Sequence, residues 1–376
     1  MKFPFAALLL LLPALACADA PPVPPPPTIA AEAWALMDQA SGQIITGHGA
    51  DQSVEPASLT KLMTAYAVFQ ALHSGKLKLD TLVPISEHAW RAEGSRTFLD
   101  LGTEVPVEVL LQGMIVQSGN DASIALAEAV AGTEQTFAAL MNQYAERLGM
   151  TGSHFENATG LPGANHHVTV TDMAKLARAV IREFPDYYRW YSQREFTWNG
   201  ITQANRNGLL GRDPSVDGVK TGMTDTAGYC LISSAKREGM RLVAVVVGTD
   251  SMKAREDASL VLLNYGFSFF ETRKLQPAGQ EMASLRVYKA SGGRAAVGVA
   301  EDLYVTLPRG QGERIELKLE LAPKVFAPLS AADRVGVVRA MLDGKPVAEA
   351  ALHPVADVPL GGFFRRLWDM IVSWFN

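Results

Sequence analysis

Three short strings in this chain carry groups that could perform acyl transfer together. In Ser58-Leu59-Thr60-Lys61 a hydroxyl and an amine stand three residues apart, so a helix stacks the amine one turn above the hydroxyl on the same face. Ser118-Gly119-Asn120 adds a second hydroxyl beside a carboxamide. Lys220-Thr221-Gly222 adds a cation, another hydroxyl and a residue with no side chain. A serine hydroxyl is a poor nucleophile until a base takes its proton, so Lys61 must be neutral when it acts. From an ordinary value near ~10.4, its pKa must fall by several units, which burial and a neighbouring cation produce. Lys220 is the candidate for that cation.

The remaining roles follow from the same chemistry. Negative charge developing on the acyl oxygen needs donors, and the backbone N–H groups of Ser58 and Met223 are the expected pair, helped by the positive end of the helix that Ser58 begins. Ser118 is suited to relay a proton to a leaving amine. Asn120 is suited to hydrogen-bond the substrate amide and Lys61. Lys220 and Thr221 are suited to hold a substrate carboxylate, and Gly222 lets a strand backbone come close to the acyl group.

Each string is weak alone. A Ser-x-x-Lys match arises about once by chance in a chain of this length. Lys220-Thr221-Gly222 reads equally as a strand-end turn, and Ser118-Gly119-Asn120 as a helix cap ahead of Asp121. The specific signal is the ordered trio within a chain whose pattern runs from helices to sheet.

The spacing of apolar residues predicts the elements that position these groups. Ala33–Met37 and Gln43–Thr46 flank a turn at Gln39-Ala40-Ser41-Gly42. Helices are predicted over Ser58 to His73, Pro106 to Val116, Asp121 to Val130 and Thr133 to Leu148, with Leu62, Ala65, Tyr66 and Phe69 on one face of the first. Thr171-Asp172 reads as the N-cap of a further helix beginning at Met173. Tyr229–Ala235 and Arg241–Gly248 are apolar, β-branched runs about a turn, a hairpin of buried strands, and Lys253 to Thr272 reads as a long helix. The sum is an α/β domain, an antiparallel sheet covered by helices from both chain ends together with a helical region, spanning 31–275.

Beyond Leu275-Gln276-Pro277-Ala278-Gly279 the period becomes two. Ile315, Leu317, Leu319 and Leu321 alternate with Glu316, Lys318 and Glu320, and Asp343-Gly344 marks a hairpin. A small all-β sandwich is expected over 276–359, with no catalytic cluster of its own. Residues 360–376 form the last unit. From Phe363 to Phe375, Arg365, Arg366, Asp369 and Ser373 fall on one helical stripe, with Phe364, Leu367, Trp368, Ile371 and Trp374 opposite. Thirteen helical residues extend about 20 Å, too short to cross a bilayer and suited to lying in its interface, with tryptophan at headgroup level and arginine facing lipid phosphate. The competing reading docks this helix on its own β-domain.

Composition sets the address. With 34 basic and 39 acidic residues the net charge is -5, which argues against a nucleic-acid partner. Residues 1–18 read as a secretory signal: Lys2, the apolar run Phe3 to Leu12, and a small-residue cleavage site at Ala16-Cys17-Ala18. Residues 19–30, rich in proline, read as a stiff, solvated tether. Removing the signal leaves Cys230 alone, so no internal disulfide is expected, and its apolar run makes it a small buried hydrophobe. His166-His167 lack the helical spacing of a zinc site. No metal or organic cofactor is expected.

Pro56-Ala57-Ser58-Leu59-Thr60-Lys61, Gln117-Ser118-Gly119-Asn120-Asp121-Ala122, Asn205-Arg206-Asn207-Gly208-Leu209-Leu210 and Val216-Asp217-Gly218-Val219-Lys220-Thr221-Gly222 resemble low-molecular-mass penicillin-binding proteins. Specifically they resemble D-alanyl-D-alanine carboxypeptidases of the five/six group, over nearly the whole chain. The resemblance implies removal of the terminal D-alanine from peptidoglycan pentapeptides through a Ser58 acyl-enzyme, and covalent capture of Ser58 by β-lactams. It implies a periplasmic protein held at the outer face of the inner membrane. It further implies that Arg206 helps bind the substrate carboxylate, or braces its loop. Two departures are expected: Met223 stands where close relatives often carry histidine, and a second rim arginine of some relatives looks replaced around Asp250. The rivals are a class A β-lactamase, a D,D-endopeptidase and a non-catalytic penicillin-binding scaffold. A β-lactamase needs a carboxylate for its deacylating water, and no Glu-x-x-Leu-Asn loop is present.

Overall fold

The computed structural model describes residues 23–373. The signal segment, its cleavage site, Cys17, Trp374 and Phe375 lie outside the described residues.

The central sheet has five strands in the order Ile44–His48, Ala33–Asp38, Met240–Thr249, Gly228–Arg237, Val216–Thr224, each antiparallel to its neighbours. Successive strand residues point to opposite faces. Ala33, Ala35, Met37, Val243, Val245 and Val247 enter one core, while Trp34, Leu36, Leu242, Ala244 and Val246 enter the other. With both faces covered, neither parity can be polar, which is why these strands read as continuous apolar runs.

The first core gathers the helices Lys61–His73, Asn120–Ala131, Glu134–Arg147 and Val170–Glu183, all inserted between the strands Ile44–His48 and Val216–Thr224. The second lies under Met252–Phe269. One face is therefore covered from the middle of the chain, not from its beginning as the sequence pattern suggested. The cap of Val170–Glu183 also differs. Thr169 accepts from Asp172 N, and Asp172, inside the first turn, accepts instead from Gly152 N and Ser153 Oγ.

The helix expected over 253–272 stops at Phe269, where Phe270 turns to extended backbone (φ -122, ψ 156). Phe270–Gln276 is a strand that pairs antiparallel with Leu303–Pro308, so the boundary falls at Phe269/Phe270, ahead of the proline-glycine turn that marked it in the sequence. Thr272 Oγ1 donates to Asp38 Oδ2 (2.6 Å) and Ser41 Oγ meets Thr306 Oγ1 (2.7 Å), binding the two domains at the root of the central sheet. The described part of the proline segment is not a free tether: Tyr265 OH donates to Pro24 O (3.0 Å), and Val23 and Ile29 pack on the second core.

The β-domain holds a six-stranded sheet built around the pairs Ile315–Leu321 with Gly336–Leu342 and Gly336–Leu342 with Lys345–Pro354. Asp343 (φ 51) and Gly344 (φ 77) both take left-handed backbone, the requirement of the tight hairpin turn. Helix Phe363–Val372 lies on this domain through Asp369, with Ser373 beside it. Asp369 is buried and accepts from Lys289 N (2.7 Å) and Arg365 Nε (3.1 Å), and Lys324 Nζ donates to Ser373 O (2.6 Å). Arg365 therefore serves the dock and does not point away from it, as the lipid-facing reading required. Phe364 (84% exposed), Leu367, Trp368 (64%) and Ile371 turn outward. Docking on the domain and presenting an apolar face are the two sides of one helix, not alternatives. Among the described residues, no helix is long and apolar enough to cross a membrane.

Candidate active site

Ser58 lies in a 3-10 turn, Ala57–Thr60, that precedes the α-helix starting at Lys61. Three residues per turn bring positions i and i+3 into register, so the expected stacking is kept: Lys61 Nζ donates to Ser58 Oγ (2.9 Å). Ala57 takes φ 46 just ahead of the nucleophile, a conformation that non-glycine residues adopt at a cost of about 1–3 kcal/mol. Gly160 explains how it is held. A Cβ on Gly160, itself at φ 84, would lie 1.8 Å from Ala57 O.

Lys61 is buried, and its amine also donates to Thr159 O (2.6 Å). Burial, helped by the charge of Arg206, pulls the amine down from 10.5 to about 7, against the opposing pull of Asp121 and Glu134. Lys220, equally buried, is also held well below its ordinary value, by burial first and then by Lys61, Arg206 and Arg255. Arg206 is thus a cation that acts on Lys61, while Lys61 and Lys220 disfavour each other's charged form.

Helix Val107–Gln112 passes into a π-helical turn, Gly113–Gln117, and ends where Ser118 adopts left-handed backbone (φ 68, ψ 33). That turn aims Ser118 Oγ at Lys220 Nζ, which donates to it at 2.9 Å and to Thr221 O at 3.0 Å. Asp121, fully buried, accepts from the N–H groups of Thr97 (2.8 Å) and Leu99 (3.2 Å), fastening the rim loop to the Ser118-Gly119-Asn120 string. Asn120 does not bond Lys61. Its Nδ2 donates to Glu93 O (2.5 Å) and its buried Oδ1 has no partner.

Gly222 also works differently from expectation. A Cβ there would lie 3.2 Å from Ala57 Cβ and Pro56 O, so its bareness lets strand Val216–Thr224 close onto the nucleophile turn. Met223, 52% exposed, stands on the cleft wall with no basic side chain. The cleft, about 390 Å³, brings together Ser58, Ser118, Asn120, Thr221, Gly222, Met223 and Arg206. Lys61 and Lys220 lie buried behind Ser58 and Ser118, the hydroxyls they bond. Arg206 Nε donates to Gln117 O (3.1 Å), so it also braces the loop.

Sequence reading missed two groups here. Arg255 lines the cleft, buried, donating to Gly222 O (3.0 Å) and Cys230 O (3.3 Å). A second arginine is therefore present, five residues beyond Asp250, and its signal was a charge on the same stripe as Ala258, Ser259 and Leu262. His166 is buried and held down to about 4 by burial, hence neutral. Its Nε2 meets Thr60 Oγ1 (2.9 Å) and its Nδ1 meets Asn157 Nδ2 (3.2 Å), tying the nucleophile turn to the loop that carries Thr159. Cys230 is fully buried in the first core. No group of three His, Cys, Asp or Glu side chains able to hold a metal ion occurs among the described residues.

A hydroxyl activated by a buried amine, on a cleft wall whose lining contains no carboxylate, is organised for acylation through an amine base. That places the chain among serine hydrolases of the Ser-x-x-Lys class. The D-alanyl-D-alanine carboxypeptidase family matches residues 20–251, and the C-terminal domain of penicillin-binding protein 5 matches residues 270–360. The chain is 40% identical over 362 residues to the D-alanyl-D-alanine carboxypeptidase DacA of Escherichia coli, covering 94% of this chain and 90% of that one. Penicillin-binding protein 5 from Haemophilus influenzae superposes with a TM-score of 0.83 at 41% identity, covering 89% of this chain and 99% of that one. Penicillin-binding protein D2 from Listeria monocytogenes in its ampicillin-bound form superposes with a TM-score of 0.60 at 30% identity, over 65% of this chain and all of that one. The chain belongs to the D-alanyl-D-alanine carboxypeptidase family.

Proposed function

We propose that this protein releases the terminal D-alanine from peptidoglycan pentapeptides in two steps. Ser58 Oγ attacks the carbonyl between the last two D-alanines while Lys61 Nζ, neutral, takes its proton. The C–N bond then breaks as the proton taken by Lys61 is relayed through Ser118, with Lys220 behind it, to the departing amine, and an ester to Ser58 remains. Water attacks that ester and returns the proton to the serine. The backbone N–H groups of Ser58 and Met223 stabilise the oxyanion. Thr221 and the guanidinium groups of Arg206 and Arg255 form the wall that takes the substrate's terminal carboxylate, with Lys220 buried behind it.

The observation that carries this reading is the 2.9 Å contact between Ser58 Oγ and a Lys61 amine brought to about 7. A β-lactam presents the same acyl carbon to the same hydroxyl, and the ampicillin-bound relative supports covalent capture here. D-alanine release from a pentapeptide ending in D-Ala-D-Ala, compared with Ser58→Ala, is the test; equal release from both removes Ser58 from the mechanism.

The outward apolar face of helix Phe363–Val372 supports peripheral attachment to a membrane surface. Together with the signal-like pattern read in residues 1–18, that face supports the reading of an exported enzyme acting at the outer face of the inner membrane.

A further inference from the structure

We propose that Glu134 is a positioning residue for acylation: its carboxylate pins the Ala158–Thr159 backbone that holds the Lys61 amine, and sets a fixed negative charge behind that amine. The inference rests on Lys61 being the base.

Glu134 stands in the first turn of helix Glu134–Arg147, which Thr133 caps. Aligned N–H groups there place the positive end of the helix dipole beside its carboxylate. Its Oε1 accepts from Ala158 N at 2.9 Å, and its Oε2 faces His88 Nε2 at 3.5 Å. The peptide it grips is fixed on its other sides as well. Ala158 O accepts from Thr64 Oγ1 (2.7 Å), on the nucleophile's own helix. Asn157 Oδ1 accepts from Thr159 N (3.1 Å) and Gly160 N (2.7 Å). The next carbonyl, Thr159 O, is the one that receives Lys61 Nζ at 2.6 Å. Ala158 and Lys61 are buried.

Glu134 is the only one of these backbone holds that carries charge. It pulls the Lys61 amine upward, opposing burial and Arg206 and acting with Asp121. Glu134 itself faces His88, and Glu128 and Glu156 share its surface hollow. The carboxylate therefore acts twice, as an acceptor that fixes geometry and as a charge that sets where the base titrates.

The two roles separate by substitution. Glu134→Gln keeps the acceptor and removes the charge. The acidic limb of the acylation rate, measured with a chromogenic β-lactam, should move to lower pH, with the plateau within about twofold of the parent. Glu134→Ala removes both. Its plateau should fall about tenfold or more, because a base displaced by a fraction of an ångström loses its alignment, while KM for a D-Ala-D-Ala pentapeptide changes less than threefold. A parental plateau in Glu134→Ala, or an unmoved limb in Glu134→Gln, overturns the proposal. If Glu134→Ala does not fold, the limb of Glu134→Gln decides alone. Lys61→Ala is run beside them: full acylation in that variant would end the reading of Lys61 as base, whatever Glu134 does.

Discussion

Lys220 Nζ donates to Ser118 Oγ at 2.9 Å across a sequence separation of 102 residues. The contact joins the left-handed corner after a π-helical turn to the edge strand of the sheet, and so ties the helical part of the catalytic domain to its sheet. Alanine at position 118 keeps the backbone strain and removes only the hydroxyl. Ser118→Ala should therefore slow acylation by about 10²–10⁴, the range for a positioned proton relay, with little change in Tm. Stopped-flow acylation by a chromogenic β-lactam measures it, and a rate within threefold of the parent would remove Ser118 from proton transfer.

Lys61 predicts a pH profile. With its amine at about 7, the neutral fraction grows tenfold per pH unit below that value and levels off above it, and the acylation rate should follow. Stability carries the same signature. The unfolded lysine titrates near 10.5 and the folded one near 7, so between these values the unfolded chain binds more protons and stability rises with pH. Below about 7 the folded protein bears the whole cost, of order 5 kcal/mol. Lys61→Met should abolish acylation while shrinking the difference in unfolding free energy between pH 6.5 and pH 9, read from urea titrations. An unchanged difference would refute the shift.

The three motifs were legible because each is a local string whose spacing survives folding, whether the turn is α-helical or 3-10. The period-two runs of the β-domain were legible for the same reason. What could not be read depends on where distant segments meet. Thr159 offers Lys61 only a backbone carbonyl, which carries no sequence signature. Arg255 looked like an ordinary helix charge until its helix was laid against Gly222 and Cys230. The helix predicted over 253–272 overran because Phe270 and Thr272 continue an apolar pattern, and only pairing with Leu303–Pro308 makes them strand. The stripe of Arg365, Arg366, Asp369 and Ser373 was plain in the sequence; that Asp369 and Ser373 are buried against the protein was not.

Gly160 tests how firmly the nucleophile turn is held. Its φ of 84 is strained for any side chain, and a Cβ would fall 1.8 Å from the carbonyl of Ala57. Backbone cannot yield that far without moving Ser58. Gly160→Ala should destabilise the protein by about 1–3 kcal/mol and cut acylation at least tenfold. Gly75→Ala, where φ is 74 and nothing lies within 4 Å, serves as the control for positive φ alone. Equal effects of the two substitutions would deny the close approach to Ala57.

Arg255 lines the cleft and engages its wall with both prongs of the guanidinium, Nη1 donating to Gly222 O and Cys230 O on neighbouring strands and Nη2 to Arg206 O (3.4 Å). Lysine keeps the charge and loses the fork. Arg255→Lys should raise KM about tenfold for a peptide with a free terminal carboxylate, equivalent to about 1.4 kcal/mol, and leave binding of the C-terminally amidated peptide unchanged. An equal loss for both peptides would make Arg255 a brace of the strand alone.

The terminal helix yields the last prediction. Its apolar side chains are held outward because the opposite stripe is occupied: buried Asp369 accepts from Lys289 N and Arg365 Nε. Removing that carboxylate leaves a buried N–H unpaired, a loss of about 1–3 kcal/mol, and frees the helix to turn its apolar face onto the β-domain. Outward tryptophan and phenylalanine, by contrast, each gain roughly 1.5–3 kcal/mol on entering lipid. Trp368→Glu should therefore reduce co-sedimentation with anionic vesicles at least tenfold, with D-alanine release from soluble peptide unchanged. Asp369→Ala should weaken vesicle binding too, although it removes a negative charge that electrostatics alone would count as repulsive. Stronger binding of Asp369→Ala than of the parent would show that charge, and not the presentation of the apolar face, governs attachment.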